Sequence, residues 1–137
     1  MSDFERCIEA TLIGVEVSKR LRSATFKIVD PEGISWYIEA TGVEEMLLEE
    51  FHLYNIVDRV TMYNQVNPLN KDGSESLHYL LHGKLPCSEE GWSEKFQSAA
   101  AAIERGELKF FEIEAVYGAQ AFILSETMSM STTPTHL

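Results

Sequence analysis

The chain has 137 residues, 45% of them apolar and 10% aromatic, which is enough for one hydrophobic core and too little for two ordinary domains. It carries 22 acidic residues against 11 basic ones, a formal net charge of −11. A field of that sign opposes binding to nucleic acid, where Lys and Arg must displace condensed counterions, and it opposes docking on an anionic membrane surface.

Arg6 to Ser18, with Ile8, Leu12, Ile13, Val15 and Val17, reads as a strand covered on both faces and bent at Gly14, where a missing side chain permits a bulge. Leu21 to Asp30 alternates Ala24, Phe26 and Ile28 against Ser23, Thr25 and Lys27. Ile34 to Thr41 alternates Ile34, Trp36, Ile38 and Ala40 against Ser35, Tyr37, Glu39 and Thr41. Period-two alternation is the mark of a strand. Asp30-Pro31-Glu32-Gly33 between the two has turn chemistry, so the pair predicts a hairpin.

Val43 to Tyr54 fits either a short amphipathic helix, with Val43, Met46, Leu47 and Phe51 on one side, or irregular chain. Asn55 to Asn67 has the composition of a strand, and the stretch from Pro68 to Ser74 breaks it. Glu75 to His82 sets Leu77, Tyr79 and Leu81 against His78, Leu80 and His82, which predicts a further strand and a second hairpin.

Ser88 to Gly106 reads as the main helix. Ser88 suits the N-cap, Glu89, Glu90 and Arg105 suit the helix dipole, and Gly106 suits a left-handed C-terminal cap. Trp92, Phe96, Ala99, Ala100 and Ile103 form its apolar stripe. Glu107 to Tyr117 and Ala119 to Leu124 return to strand. Ser125 to Leu137, poor in large apolar side chains, reads as a polar, flexible tail. The fold class that follows is α+β over residues 1–124: a strongly bent, mainly antiparallel sheet of six or seven strands, barrel-like if it closes, with one main helix.

Several side chains invite a chemical reading. His78 and His82 share one face of either a strand or a helix, after Glu75. A catalytic zinc takes three protein ligands and a structural one four, and no spacing supplies the remainder; no metal or cofactor is expected. Cys7 and Cys87 are too isolated for a zinc or disulfide framework. Cys87 lies at a helix start, but Glu89 and Glu90 oppose its ionisation. Nucleotide-cradling glycine loops and a Gly-x-Ser-x-Gly elbow are absent from the sequence.

The acids cluster instead. Between Pro31 and Val60 seven carboxylates face Arg59 alone, and Glu44, Glu45, Glu49 and Glu50 read as one wet face. Such a face suits a basic protein partner, as in a regulatory subunit or an immunity-type inhibitor. The competing expectation is a ligand-binding or enzymatic domain with a groove near Trp36, Tyr37, His78 and His82, although both Trp36 and Trp92 complete apolar stripes and read as core.

No apolar run reaches the ~20 residues of a membrane span, and the first residues lack signal-peptide character, so the cytoplasm is the expected compartment. Leu108 and Phe110 alternate with Phe111 and Ile113, and Phe122 and Leu124 with Ala121 and Ile123. A sheet apolar on both faces needs more cover than one helix offers, which points to a homodimer unless closure into a barrel supplies that cover within the chain.

Overall fold

Strands appear where alternation is cleanest. In the computed structural model, which describes residues 3–86 and 91–133, a short 3-10 turn at Asp3–Cys7 leads into β1 (Thr11–Ser18), β2 (Ser23–Val29), β3 (Ser35–Glu49) and β4 (Ile56–Tyr63). Two helices follow, α1 (Lys71–His82) and α2 (Glu94–Glu104), then β5 (Lys109–Tyr117) and β6 (Gln120–Ser131). All the strand pairs are antiparallel, and the six strands form a ring in the order β1-β2-β3-β6-β5-β4. The α+β bent sheet is therefore the architecture, with six strands and two helices.

The β2–β3 turn is held by Asp30, whose Oδ1 accepts from the backbone N–H groups of Glu32 and Ile34, both at 2.9 Å. Its Oδ2 accepts from Trp36 Nε1 at 2.9 Å. These bonds, the Trp36 one foremost, hold the Asp30 carboxyl below its ordinary range. β1 shifts register between Leu12 and Gly14, where the bend is expected. The ring closes where Thr11 pairs with Ile56. Beside that seam Asn55 is buried, and its amide donates to the carbonyls of Leu12 and His52 and accepts from the N–H groups of His52 and Ala119.

Four expectations are corrected. Glu75 to His82 belongs to α1, not to a strand. Asn70 caps the helix by accepting from Gly73 N at 2.7 Å. Gly83 ends it at φ 72°, with its N–H bonded to the Tyr79 carbonyl. Second, α2 starts at Glu94 behind an N-cap at Ser93; the cap expected at Ser88 lies outside the described residues. Trp92 thus precedes the helix and is 42% exposed, stacked on Phe96 at 4.3 Å rather than buried in a core.

Third, Val43 to Glu49 is neither helix nor loop but the second half of β3. The strand passes through Gly42 at φ 63° and a bulge between Val43 and Glu45. Fourth, residues 125–131 are not a loose tail. They pair with β3 from Ser125↔Val43 to Ser131↔Tyr37.

Two cores result. Inside the ring lie Leu12, Phe26, Ile28, Ile38, Phe111, Ile113 and Ile123. Outside it, Leu77 and Leu80 of α1 and Phe96 and Ile103 of α2 pack on Tyr63, Phe110, Phe122 and Leu124. Phe110 is 0% exposed and Phe122 6%. The surplus apolar face that suggested a homodimer is thus covered within one chain by the second helix, and that argument for self-association falls away.

Helix α1 lies so close to the sheet that a Cβ on Gly73 would come within 2.6 Å of the Tyr63 ring. That ring is stacked on Phe110 at 6.0 Å and its hydroxyl reaches Asn70 Oδ1, so it has little freedom to retreat. Gly73→Ala gains up to ~1 kcal/mol of helix preference, yet net destabilisation is expected in urea unfolding; a stabilised variant would show that α1 rides higher on the sheet. Phe110→Ala should cost about 3–5 kcal/mol, the usual loss for an aromatic truncated in a core. A loss near that of an exposed site would refute the two-core arrangement.

Candidate functional site

Along β5 the outward row reads Phe110, Glu112, Glu114 and Val116. The helices cover the first of these, and their cover thins at the second. There α1 presents Asp72, Glu75, Ser76 and Tyr79, which recur at i, i+3, i+4 and i+7 and so form one stripe. β3 contributes Glu49 and β6 contributes Gln120 and Phe122. Glu49 pairs with Gln120, and Glu112 with Phe122, across the sheet. Together with Leu85 these side chains line a cleft of about 400 Å³.

Glu112 forms part of its wall and is 8% exposed. Ser76 Oγ donates to its Oε1 at 2.9 Å; its other oxygen meets no hydrogen-bond donor among the described residues. Burial raises the Glu112 carboxyl above its ordinary range, Glu114 and Asp72 add to the rise, and Ser76 and Arg59 oppose it. Arg59 is itself held by Glu114 at 2.9 Å. Across the cleft the Tyr79 hydroxyl donates to Glu49 Oε1, which raises the phenol and keeps it protonated. Among the described residues no Lys or Arg lines the cleft.

The expected acidic face is dispersed. Glu44 pairs with Arg22 at 3.2 Å, Glu45 with Lys95 of α2 at 3.2 Å, and Glu50 with His52 at 3.4 Å. Glu45 and Glu49 face the helices, as alternate residues of a strand must share a face. Glu44 sits in the bulge, and Glu50 follows the strand at φ 56°. Glu49 alone of the four enters the cleft.

The alternative groove is not assembled either. Trp36 and Tyr37 are consecutive on β3 and point to opposite faces. The Arg6 guanidinium lies 5.2 Å over Trp36, and Lys27 lies 5.9 Å over Tyr37. His78 and His82 do come together, one turn apart on α1 with ring centroids 4.6 Å apart, but their neighbours are the α1–α2 connection. His78 Nδ1 donates to the Lys84 carbonyl at 2.8 Å, and His82 Nε2 lies 2.7 Å from Ser93 Oγ, the cap of α2. Burial and the neighbouring His78 hold the His82 imidazole below its usual range. Among the described residues no three His, Cys, Asp or Glu side chains are grouped to hold a metal ion. Cys7 is buried in the ring core, and Cys87 lies outside the described residues.

Sequence reading missed Asp72, Glu75, Ser76, Tyr79 and Glu112 as a set. The stripe on α1 is a helical spacing, visible only once that segment is read as a helix.

A buried carboxyl with a raised proton affinity costs stability when it ionises. The unfolded chain loses this proton near pH 4.3, while the folded chain keeps it to higher pH. Between the two the folded state binds more protons, so stability falls as pH rises through that window. Glu112→Gln should therefore be more stable than the native chain at neutral pH, with the difference vanishing below about pH 4. Urea unfolding at a series of pH values checks this; a variant less stable at neutral pH would mean that the ionised carboxylate is well compensated.

Comparison of the chain with known proteins gives no matching family, no similar curated protein and no similar solved structure.

Proposed function

We propose that the chain is an acidic protein-interaction module, of the regulatory-subunit or immunity-inhibitor kind, and that the α1 cleft receives a cationic side chain of a basic protein partner. The observation that carries this reading is the convergence of Glu49, Asp72, Glu75 and Glu112 on one cleft with no Lys or Arg in its lining among the described residues. By contrast Glu44, Glu45, Glu107 and Glu114, outside the cleft, each meet an Arg or Lys. A cleft of one sign focuses the field and steers an oppositely charged partner toward it.

The cost of Glu112 supports the same reading. A Gln at that position would keep the shape and the Ser76 bond without the penalty of a buried charge. Groups that lower stability in a cleft are what a binding function retains. The net charge of −11 favours a basic protein over nucleic acid. No helix among the described residues is long and apolar enough to cross a membrane. The cytoplasm remains the compartment proposed for it.

A short arginine-containing peptide, titrated into the labelled protein, should shift the backbone resonances of Asp72 to Tyr79 and of Glu112 and Gln120. Asp72 is exposed and Glu75 half-buried, so Asp72→Asn with Glu75→Gln leaves the core intact. At about 0.2–1 kcal/mol per exposed ion pair, that double variant should weaken binding roughly two- to thirtyfold. Shifts elsewhere on the surface, or unchanged affinity in the double variant, would remove the cleft from the proposal.

A further inference from the structure

We infer that cation binding in the α1 cleft is coupled to ionisation of the buried Glu112 carboxyl, so that the module engages its partner more tightly as pH rises. The inference rests on the interaction reading above and adds its regulation.

Two independent features of Glu112 lead here. It is nine-tenths buried, yet it forms part of the cleft wall. Of its two oxygens one takes the Ser76 hydroxyl, and the other has no donor among the described residues. A carboxylate so placed has one oxygen left to take a donor from the cleft. Its charged neighbours do little to relieve it: Asp72 and Glu75 face it from α1, Glu49 stands on β3, and Glu114 follows on its own strand. Arg59 of β4 is a cation that acts on it and is already bonded to Glu114. Tyr63, also on β4, is a phenol whose proton is held more tightly by burial first and by Glu112 second. The side chains of β6, Gln120 and Phe122, carry no charge.

Protonation relieves the cost of burying such a charge, and a bound cation relieves it in another way. When a guanidinium or ammonium enters, the Glu112 O–H bond breaks, its proton goes to solvent, and the carboxylate takes the incoming N–H donors. Charge within the cleft balances, because one positive charge enters as one negative charge forms. Linkage makes the effect reciprocal: the cation lowers the proton affinity of Glu112 by the same free energy by which the proton weakens the cation.

Isothermal titration calorimetry of the full chain with the same arginine peptide tests this. Runs at each pH use two buffers of different protonation enthalpy. The apparent heat should differ between buffers in proportion to the protons released, and affinity should rise by up to about tenfold per pH unit where Glu112 titrates, the slope of one linked proton. In parallel, the Glu112 carboxyl carbon followed by NMR should titrate at lower pH with peptide than without. Glu112→Gln should lose both the buffer dependence and the slope. Ser76→Ala, a change on the helix surface that removes the donor to Oε1, should move the Glu112 midpoint upward, and it serves if the first variant folds poorly. Peptide bound at the cleft with no buffer dependence, or with the same pH profile in Glu112→Gln, would overturn the coupling and leave the interaction reading intact. Absence of cleft binding at every pH would overturn both.

Discussion

Strands β5 and β6 bury apolar side chains on both faces, and the rest of the molecule is arranged around that demand. Phe111, Ile113, Ala121 and Ile123 point into the ring, while Phe110, Phe122 and Leu124 point out of it. Closing the sheet satisfies the first set. The second set requires a layer of helix, and α1 and α2 supply it with Leu77, Leu80, Phe96 and Ile103. The cleft is the margin of this layer. Where the outward row of β5 changes from Phe110 to Glu112, the helix above changes from leucines to a polar stripe. The same geometry that seals the outer core therefore leaves a buried carboxyl in the wall of the cleft.

How far this was legible varies from segment to segment for physical reasons. The β2–β3 hairpin was readable because its alternation is unbroken and its turn is local, held by Asp30 over a few residues. The second half of β3 was not. Its bulge between Val43 and Glu45 shifts the parity of every later side chain, so Val43 and Met46, three apart, both pack on the ring core and resemble one face of a helix. In β6 the inward residues beyond Ser125 are Met128 and Met130 among serines and threonines, too sparse a pattern to distinguish a strand from a tail. Leu77, Tyr79 and Leu81 alternate over a span short enough for strand or helix. The cap at Asn70 and the fit of Gly73 on Tyr63 decide for helix, and the second of these is a contact no local window contains.

The candidate site was less legible than the fold, since it gathers residues from four elements. Asp72, Glu75, Ser76 and Tyr79 come from one helix, but Glu49 and Glu112 arrive through pairings between distant strands. A run such as Glu44-Glu45 or Glu49-Glu50 attracts notice in a sequence, and folding separates its members by pleat, bulge and ion pair. The carboxyl that burial perturbs, Glu112, stands between two apolar residues of a strand, where charge density along the chain is unremarked.

The ring order has a consequence for how the chain reaches this state. β6 lies between β3 and β5, yet it follows every other element in sequence. Until β6 is in place, β3 keeps an unpaired edge along its whole length, and β5 has no neighbour on that side. The helices emerge before the two strands they cover, with Leu77, Leu80, Phe96 and Ile103 facing water. Non-local pairing of this kind is slow relative to local contacts, and open edges beside apolar faces are the features that make folding intermediates associate. A nascent chain that has lost or not yet acquired β6 is thus not a smaller folded protein but an open sheet, and insertion of that strand is the step that commits the molecule to its native form.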